Sequence, residues 1–569
     1  MSSTYEISDK AAEVDAEKLA SKTDSSSPAT NAAFNDEGQE YANEEGERPE
    51  PEPLTSTNPE QPLEYTAFSK NEVRFIVFMC SWAGFFSPVS ANIYFPALET
   101  LAQFLHVSDS LINLTITSYM IFQGLAPTII GSLSDSNGRR PAYMICFTIY
   151  IGANIGLALQ SNYAALLVLR MVQSAGSSGT VALASAVVAD VSTSSQRGMY
   201  MGLATAGALL GPSIGPIVGG LLCEFLGWRS VFWFLTIFAG CFLVPFILFY
   251  PETGRRVVGN GSIPPQGWNM SVMNYLKVRK QTREAGNDPT VLFAKRQMLA
   301  RQRRFRFPNP FLVLRIVFEL EVGLVLLFNA LLFCAMYDVT SGIPSQYAEI
   351  YGFNDLQIGL SYIPLGVGAS IAAIINGKLV DRNYRRLAKK HGMPLIRNRH
   401  QDLRNFPIEA CRIQIVFPML FLGSAALIAY GWVLDYETSL AGPLVLLFFL
   451  GYCLAGAFNV LSTLTVDLYP QAPATVTAAN NLVRCLLGAG ATALVLPMIH
   501  GMGRGWCYTF LGLALIGLSP ILLAVIKWGP KWREEKRIKD EEKQAKRDAR
   551  DEEAKRREVV ENGSVEEKN

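Results

Sequence analysis

The sequence predicts an all-helical membrane protein with twelve spans, arranged as two halves of six helices each. Three observations predict this fold class: an apolar composition, the segregation of charge from long apolar blocks, and a short motif that occurs once in each half. Hydrophobic residues make up 50% of the 569 residues and charged residues only 17%, whereas soluble proteins carry roughly 25% charged residues.

The first 70 residues contain no apolar stretch long enough for a span. They are rich in Ser, Thr, Pro, Glu and Asp, and the first long apolar stretch begins near Phe75. Such a segment cannot bury enough apolar surface to offset the entropy lost on ordering. We therefore expect residues 1–70 to form a disordered tail, without a cleavable signal peptide.

Twelve later segments are long and apolar enough to cross a membrane, since a helix needs about 20 mostly apolar residues to cross a hydrocarbon core of about 30 Å. The candidates are 75–98, 110–130, 141–160, 163–189, 198–222, 229–250, 320–345, 354–377, 411–434, 440–467, 474–500 and 506–528. The polar gap after the sixth segment predicts a first half over 71–252, a linker over 253–312, a second half over 313–530 and a charged tail over 531–569.

The basic residues predict the orientation of the chain. Twelve Lys and Arg lie in loop 251–310 and nine in loop 381–412, whereas the alternate loop 99–109 has none. Positive charge is retained on the cytoplasmic side of a membrane. We therefore expect both large loops and both termini to be cytoplasmic.

A ten-residue motif follows both the second and the eighth span, as GSLSDSNGRR over Gly131–Arg140 and GKLVDRNYRR over Gly377–Arg386. Its Gly, Leu, Asp and Asn and its Arg pair keep one register, as expected of a duplicated transporter half. We expect the glycines to allow close helix packing and the charges to hold one conformation and release it in the other. The alternative is a positive-inside turn with incidental charges. We define the predicted cytoplasmic latch as Gly131, Asp135, Gly138, Arg139, Arg140, Asp381, Arg385 and Arg386.

This motif resembles the cytoplasmic signature of the major facilitator superfamily, although the second copy has Tyr384 where the first has Gly138. Arg170–Gly176, read RMVQSAG, is similar to the RxxQ signature of that superfamily. Gly207–Gly220, read GALLGPSIGPIVGG, resembles the span-five signature of its proton-coupled antiporters.

Three further stretches resemble one branch of the superfamily. Pro251–Thr253, read PET, is similar to the end of the first half in the twelve-spanning drug:proton antiporters. Residues 350–360 and 467–490 resemble the fungal quinidine-resistance branch, whose relatives include fungal citrate exporters. The resemblance covers about residues 70–530. It implies the major facilitator fold and transport driven by a proton gradient, without a cofactor. The fungal resemblance also favours the plasma membrane, with the vacuolar membrane as the alternative.

Few ionisable residues lie within the predicted spans, and each is a functional candidate because charge is costly there. Proton coupling or substrate charge balance is the role we assign to Arg170, Gln173, Asp338 and Arg484. By resemblance, the arginine of the RxxQ signature serves proton coupling. The alternatives are structural ion pairs, or a cap of the outer gate in the case of Asp338. Asp190 and Asp467 are expected to contact cytoplasmic charges at helix ends.

Other candidates follow from residue type. We expect Gly211, Pro212, Gly215 and Pro216 to bend span five and allow close approach to a neighbouring helix. Residues that could line a substrate cavity are Asn92, Tyr94, Ser341, Tyr362, Asn480 and Asn481. The first span has no acidic residue within its apolar stretch, which departs from several bacterial drug antiporters.

Two buried arginines against one buried acid favour anionic or neutral amphiphilic substrates. The leading hypothesis, based on the duplicated Asp–Arg motif and the GPxxGP run of Gly211–Pro216, is a proton-coupled exporter of small organic compounds such as drugs, toxins or metabolites. The alternatives are a dedicated exporter of organic acids such as citrate, or a receptor built on a transporter fold. The chain has no GxxxxGK[ST] or HExxH sequence, so an enzyme is not expected. We expect a monomer in the lipid bilayer that binds a small-molecule substrate and no metal or nucleic acid.

Overall fold

A computed structural model describes residues 66–192, 197–263, 265, 269–276, 310–390, 406–469 and 473–566. Within these ranges some side chains, including that of Asp381, are not described. The predicted tail up to residue 65 and most of the predicted linker lie outside the described residues. Every regular element in the described ranges is a helix.

The first half begins with a helix at Lys70, where Ser69 and Glu72 form a capping box. Ser108 and Asn162 cap later helices in the same way, by accepting a backbone N–H in the first turn. The helices are α1 (Lys70–Asn92), α2 (Leu98–Leu105), α3 (Asp109–Asn137), α4 (Arg139–Leu159), α5 (Tyr163–Val191), α6 (Arg197–Leu226), α7 (Arg229–Phe249) and the short α8 (Arg255–Val258).

The second half repeats this plan after the linker. Its helices are α9 (Pro310–Val317), α10 (Leu320–Tyr351), α11 (Asp355–Ser361), α12 (Ile363–Lys390), α13 (Ile408–Asp435), α14 (Ala441–Leu450), α15 (Gly456–Leu468), α16 (Pro473–Met502), α17 (Arg504–Leu518) and α18 (Pro520–Glu566). One π-helical turn, Gly451–Ala455, joins α14 to α15. The final helix continues from the predicted half into the predicted tail without a break.

Ten helical segments of the described chain have the length and apolar composition to cross a membrane. Helices α5 and α6 lie between the third and fourth of these segments. Within α6, Gly211–Leu226 is a shorter apolar stretch. Counting both helices agrees with twelve spans. The chain is thus an all-helical, multi-span membrane protein, as the sequence predicts.

The two halves contact each other from one end of the bundle to its middle. At that end, here called the closed end, Thr100 donates to both carboxylate oxygens of Asp355 at 2.8 and 2.9 Å. Nearer the middle, α3 packs on α16, where the Asn481 amide donates to the carbonyl oxygen of Gln123 at 2.9 Å. The opposite end carries Gly131–Arg140 and is here called the latch end.

Candidate functional site

Arg170 of α5 lies inside the first half and is 1% exposed. Its Nη1 donates to Gln173 Oε1 at 2.5 Å and to the carbonyl oxygen of Ser90 at 3.3 Å. Its Nε and Nη2 have no hydrogen-bond acceptor, and no carboxylate among the described residues forms an ion pair with it. Nε and Nη2 form one edge of the planar fork that binds carboxylates with two parallel hydrogen bonds. This edge of Arg170 is therefore free of protein acceptors in the described part of the chain.

Two tyrosine rings enclose the Arg170 guanidinium group. Its Cζ atom lies 4.1 Å from the ring centroid of Tyr94 and 4.3 Å from that of Tyr119. The Tyr94 hydroxyl is hydrogen-bonded to Thr115 and the Tyr119 hydroxyl to Ser177. A desolvated cation–π contact stabilises a cation by about 2 kcal/mol. The rings thus stabilise the cation without neutralising its charge.

Arg484 of α16 is half-buried in the second half. Its Nη2 donates to Asn481 Oδ1 at 2.8 Å, and its Cζ atom lies 4.9 Å from the Phe333 ring centroid and 5.8 Å from that of Phe458. Asn481 therefore contacts Arg484, as its spacing of three residues predicts. Asn480 instead accepts a hydrogen bond from Asn329 at 2.8 Å, so the two asparagines face different neighbours.

A tyrosine pair connects the two arginines across the interface between the halves. Tyr119 interacts electrostatically with Arg170 and with Cys485. Tyr337 interacts with Arg484 and with Tyr119. We call Arg170, Tyr94, Tyr119, Tyr337 and Arg484 the central region. Tyr119 and Tyr337 were missed as partners of the arginines in the sequence, because only the packing of the two halves brings them together.

Asp338 of α10 lies in the second half and is 2% exposed. Its Oδ1 has no hydrogen-bond partner, and no Lys or Arg among the described residues forms an ion pair with it. Its electrostatic neighbours are Cys334, Cys507 and Tyr508. A buried charge without a partner is so costly that such a group is stable in its neutral form. The structure therefore places the acid and the two arginines in separate environments.

The remaining cavity candidates lie in different places. The Asn92 amide donates to the carbonyl oxygen of Pro88 at 2.7 Å within its own helix. The Tyr362 ring stacks on Phe95 of the first half at 5.9 Å between centroids. Ser341 lines a small cavity at the closed end. Of the predicted candidates, Tyr94 belongs to the central region and Asn481 contacts its Arg484, whereas Tyr362 lies at the contact between the halves.

In the first copy of the predicted latch, Arg139 connects two helices. Its Nη1 contacts Asp135 Oδ1 at 2.6 Å and Ser134 Oγ at 2.7 Å, and its Nε contacts Asp190 Oδ2 at 2.8 Å. Arg140 turns the other way, and its Nη2 donates to the carbonyl oxygen of Ile247 at 2.8 Å. The planar guanidinium of Arg139 thus joins the latch motif to the end of α5.

Gly138 forms the turn between α3 and α4, and Glu252, which follows α7, packs against it. Gly138 has a φ of +111°, and a Cβ atom there would lie 2.5 Å from Glu252 Oε2. The Glu252 carboxylate accepts the backbone N–H groups of Arg139 and Arg140, at 2.8 and 3.1 Å. It therefore caps α4, whose preceding glycine has no side chain to do so. Burial raises the pKa of Glu252 above its ordinary value, although these donors favour its charged form.

The second copy of the motif has a different local structure. Helix α12 continues through Tyr384 to Lys390, where the first copy breaks at Gly138. The physical reason is that a tyrosine rarely adopts the positive φ that the first turn requires. Arg385 and Arg386 are exposed, whereas Arg139 and Arg140 are buried. The Asp381 side chain lies outside the described residues, so its predicted role remains a prediction.

Arg412, which the sequence reasoning missed, forms the ion pair that corresponds to Arg139 and Asp190. Its Nη2 lies 2.9 Å from Asp467 Oδ2. Arg412 is in the first turns of α13, as Arg139 is in α4, and Asp467 ends α15 as Asp190 ends α5. The shared position at the start of the third span of each half was the available signal.

The two glycines of the predicted helix-bend run pack closely against α1. Cβ atoms at Gly211 and Gly215 would lie 2.5 Å from Pro88 Cβ and 3.1 Å from Asn92 Cβ of α1. Pro212 and Pro216 lie within α6, which is continuous from Arg197 to Leu226. The close approach to α1 agrees with the sequence analysis, and the bend stays a prediction. In contrast, the described atoms leave open space around Gly131 and Gly377, so the close packing expected at those two glycines is wrong.

Membrane-length helices in two packed halves, with Arg170 and Asp338 buried without an ion-pair partner in the described chain, define this chain as a polytopic membrane transporter. The chain belongs to the Major Facilitator Superfamily, whose family model matches residues 80–493. This confirms the resemblance at the level of the superfamily.

Individual relatives agree with this assignment. The chain is 47% identical over 492 residues to the MFS-type transporter phiD of a fungal species (strain ATCC 74256), covering 86% of this chain and 74% of that protein. It is 37% identical over 500 residues to Citrate exporter 1 of Aspergillus niger, covering 86% of this chain and 93% of that protein. A crystal structure of a D-xylose-proton symporter matches with a TM-score of 0.53 and 16% identity, over 78% of this chain and 96% of that chain, and supports the fold alone. The assignment to a drug:proton antiporter branch stays a prediction.

Proposed function

We propose that this chain is a proton-coupled exporter of small organic compounds that works by alternating access. The observation that carries the proposal is Asp338, a buried carboxyl without a cationic partner in the described part of the chain. Such a group can bind and release a proton as its access to either side of the membrane changes, because no ion pair holds it in the charged form. The gradient would supply the energy, without a cofactor.

The packing of the two halves supports alternating access. At the closed end, a Cβ atom at Gly220 of α6 would lie 2.6 Å from the backbone oxygen of Asp355, and one at Gly359 would lie 2.5 Å from the backbone oxygen of Pro216. At these two glycines the backbones of the halves approach so closely that a Cβ atom would not fit, and such packing makes a seal that can form or open as a unit. We assign the latch end to the cytoplasm, where the charges around Arg139 would stabilise the alternative arrangement.

The orientation and setting follow from the same proposal. With the latch end in the cytoplasm, both termini are cytoplasmic, and the plasma membrane is the site where export removes a compound from the cell. The protein acts as a monomer, because each half finds its partner within the same chain.

The test uses purified protein in proteoliposomes, with citrate and a neutral amphiphilic dye as the transported probes. We expect Asp338→Asn to abolish the stimulation of transport by an imposed pH gradient and to retain exchange of probe against probe. Asp435→Asn, the same change at an exposed carboxylate that ends α13, is the matched control and should keep the stimulation. Full stimulation in Asp338→Asn would refute proton coupling through this residue.

A second candidate function, export of organic acids, is favoured by Arg170. Its Nε and Nη2 edge lacks a protein acceptor in the described chain, and a substrate carboxylate fits this edge with two hydrogen bonds. The similarity to Citrate exporter 1 agrees with this alternative. In the same vesicles, Arg170→Lys should reduce citrate transport by about tenfold or more, since a lysine cannot make the paired contact, and should leave dye transport largely intact. An equal loss for both probes would argue against a carboxylate-binding role.

A further inference from the structure

Five charged residues meet at the latch end of the second half, outside the central region. Three are acids, Glu319 and Glu321 at the start of α10 and Glu409 at the start of α13. Two are bases on α18, Arg533 and Lys536. Nothing in the proposed transport cycle uses this group, which we call the α18 cluster.

Two of the acids are buried side by side. Glu409 is 0% exposed and Glu321 is 8% exposed. Their carboxyl groups are electrostatic neighbours, and both side chains lie against the same glycine of α18. A Cβ atom at Gly529 of α18 would lie 3.1 Å from Glu409 Cγ and 3.2 Å from Glu321 Oε1. The glycine therefore lets α18 cover the pair.

The bases are arranged unequally around these acids. Lys536 Nζ lies 2.7 Å from Glu319 Oε2, and the Tyr469 hydroxyl donates to Glu319 Oε1 at 2.7 Å. Arg533 Nη2 donates to the carbonyl oxygen of Phe406 at 3.0 Å and lies 3.5 Å from Glu409 Oε1. Glu319 thus has its own basic partner. In contrast, Arg533, at a longer distance, is the nearest base to both buried carboxyl groups, those of Glu321 and Glu409.

With both carboxyl groups ionised, this arrangement has two defects. Both oxygens of Glu409 and Oε1 of Glu321 lack a hydrogen-bond donor, and a buried acceptor without a donor is costly. The cluster also has one negative charge more than its bases neutralise. One proton between the two carboxyl groups corrects both defects, because two adjacent carboxylates cannot both remain ionised without a high cost.

We propose that Glu321 and Glu409 form a proton-binding site that holds one shared proton and thereby anchors α18 to the second half. The chemistry of the site favours a proton over a metal cation, since Arg533 is directed at the same carboxyl pair and would repel a metal ion. Release of the proton leaves two neighbouring buried anions, so the proton and the docking of α18 stabilise each other.

Charged and titratable groups from several elements surround Glu321 and Glu409. They are Glu319 on α10, Arg533 and Lys536 on α18, and Tyr469 after α15, while Arg412 of α13 is engaged by Asp467.

The test measures the thermal unfolding midpoint of the purified full-length protein in detergent, from acidic to alkaline pH. The wild-type midpoint should fall as the pH rises and the shared proton is lost. Glu321→Gln should keep the acidic midpoint and lose most of this fall, because a neutral amide can donate to the Glu409 carboxylate. The control is Asp467→Asn, which breaks a balanced ion pair at the same end; it should lower the midpoint at every pH and keep the wild-type slope.

A second measurement detects the proton directly. Infrared difference spectra between acidic and alkaline samples are recorded in an Asp338→Asn background, which removes the other buried neutral carboxyl group. They should show the C=O band of a buried protonated carboxyl group, and this band should be lost when Glu321→Gln is added. A wild-type slope in Glu321→Gln, an unchanged infrared band, or failure of that variant to fold at acidic pH would each overturn the proposal.

Discussion

Gly220 of α6 provides a sharp test of the seal between the two halves. A Cβ atom at this position would lie 2.6 Å from the backbone oxygen of Asp355 and 3.2 Å from the Cα atoms of Leu356 and Gly359. All three atoms belong to the backbone of α11, so no side-chain rotation can relieve the contact. Gly220→Ala must therefore move α6 away from α11 at the closed end.

The size of the effect follows from this distance. Close C···O contacts between helices have a separation of about 3.3 Å, so the helices must part by about 0.7 Å. Overpacking of this kind costs about 1–3 kcal/mol. The intrinsic preference of alanine for a helix is the same in both conformations and cancels. The ratio of closed to open forms at this end should thus fall by about 5- to 150-fold.

Electron paramagnetic resonance distances between spin labels at Leu226 and Leu360 measure this ratio. Both side chains are exposed, at 71% and 44%, and the exposed thiol of Cys241 would first be replaced by serine. We expect a longer distance to become populated in Gly220→Ala. Gly202→Ala, in the same helix but with open space around the Cβ position, is the matched control. A distribution unchanged from that control would refute the assignment of this contact as the seal.

Other predictions concern single contacts of the site. Glu252→Ala should lower the thermal unfolding midpoint, with a loss of about 1–3 kcal/mol from the unpaired backbone donors of α4, and Glu252→Gln should lose less because one acceptor oxygen remains. Arg139→Lys should reduce transport while keeping the charge, since a lysine cannot bridge to Asp190 and to the latch aspartate together; activity equal to wild type would contradict the latch. Tyr119→Leu should cost about 1–2 kcal/mol of stability through the lost cation–π contact with Arg170, and Tyr119→Phe, which keeps the ring, should lose clearly less in the same unfolding assay.

The sequence predicts the elements better than their contacts. The spans and the two halves follow from hydropathy and residue type, because the membrane imposes helices of known length. The partner of Asp467 could not be read from its own helix, because Arg412 lies 55 positions earlier and only tertiary packing joins them. The same limit hid Tyr119, which reaches Arg170 from another helix.

The repeated motif shows why matching residues do not guarantee matching structure. The two copies share Asp, Asn and an Arg pair, yet one glycine-to-tyrosine difference turns a sharp break into a continuous helix. After the break, Arg139 is buried and forms an ion pair with Asp190, whereas Arg385 is exposed on α12. A motif therefore predicts a local structure only when the residue that sets the backbone conformation is also present.

The separation of opposite charges is the physical basis of the proposed coupling. Arg170 in the first half and Asp338 in the second are both buried without an ionic partner in the described chain. Had they paired with each other, each would have held the other in its charged form, and neither a proton nor an anion could bind without breaking the pair. Kept apart, each site can exchange its own ligand, and the two are linked only through the relative position of the halves. On this reasoning, an acid introduced beside Arg170 should abolish coupling. Tyr94→Glu places a carboxylate on one face of the guanidinium, in exchange for the Tyr94 ring and its hydrogen bond to Thr115, and tests this in the vesicle assay. Retained stimulation by the pH gradient in that variant would show that the unpaired charge of Arg170 is not required.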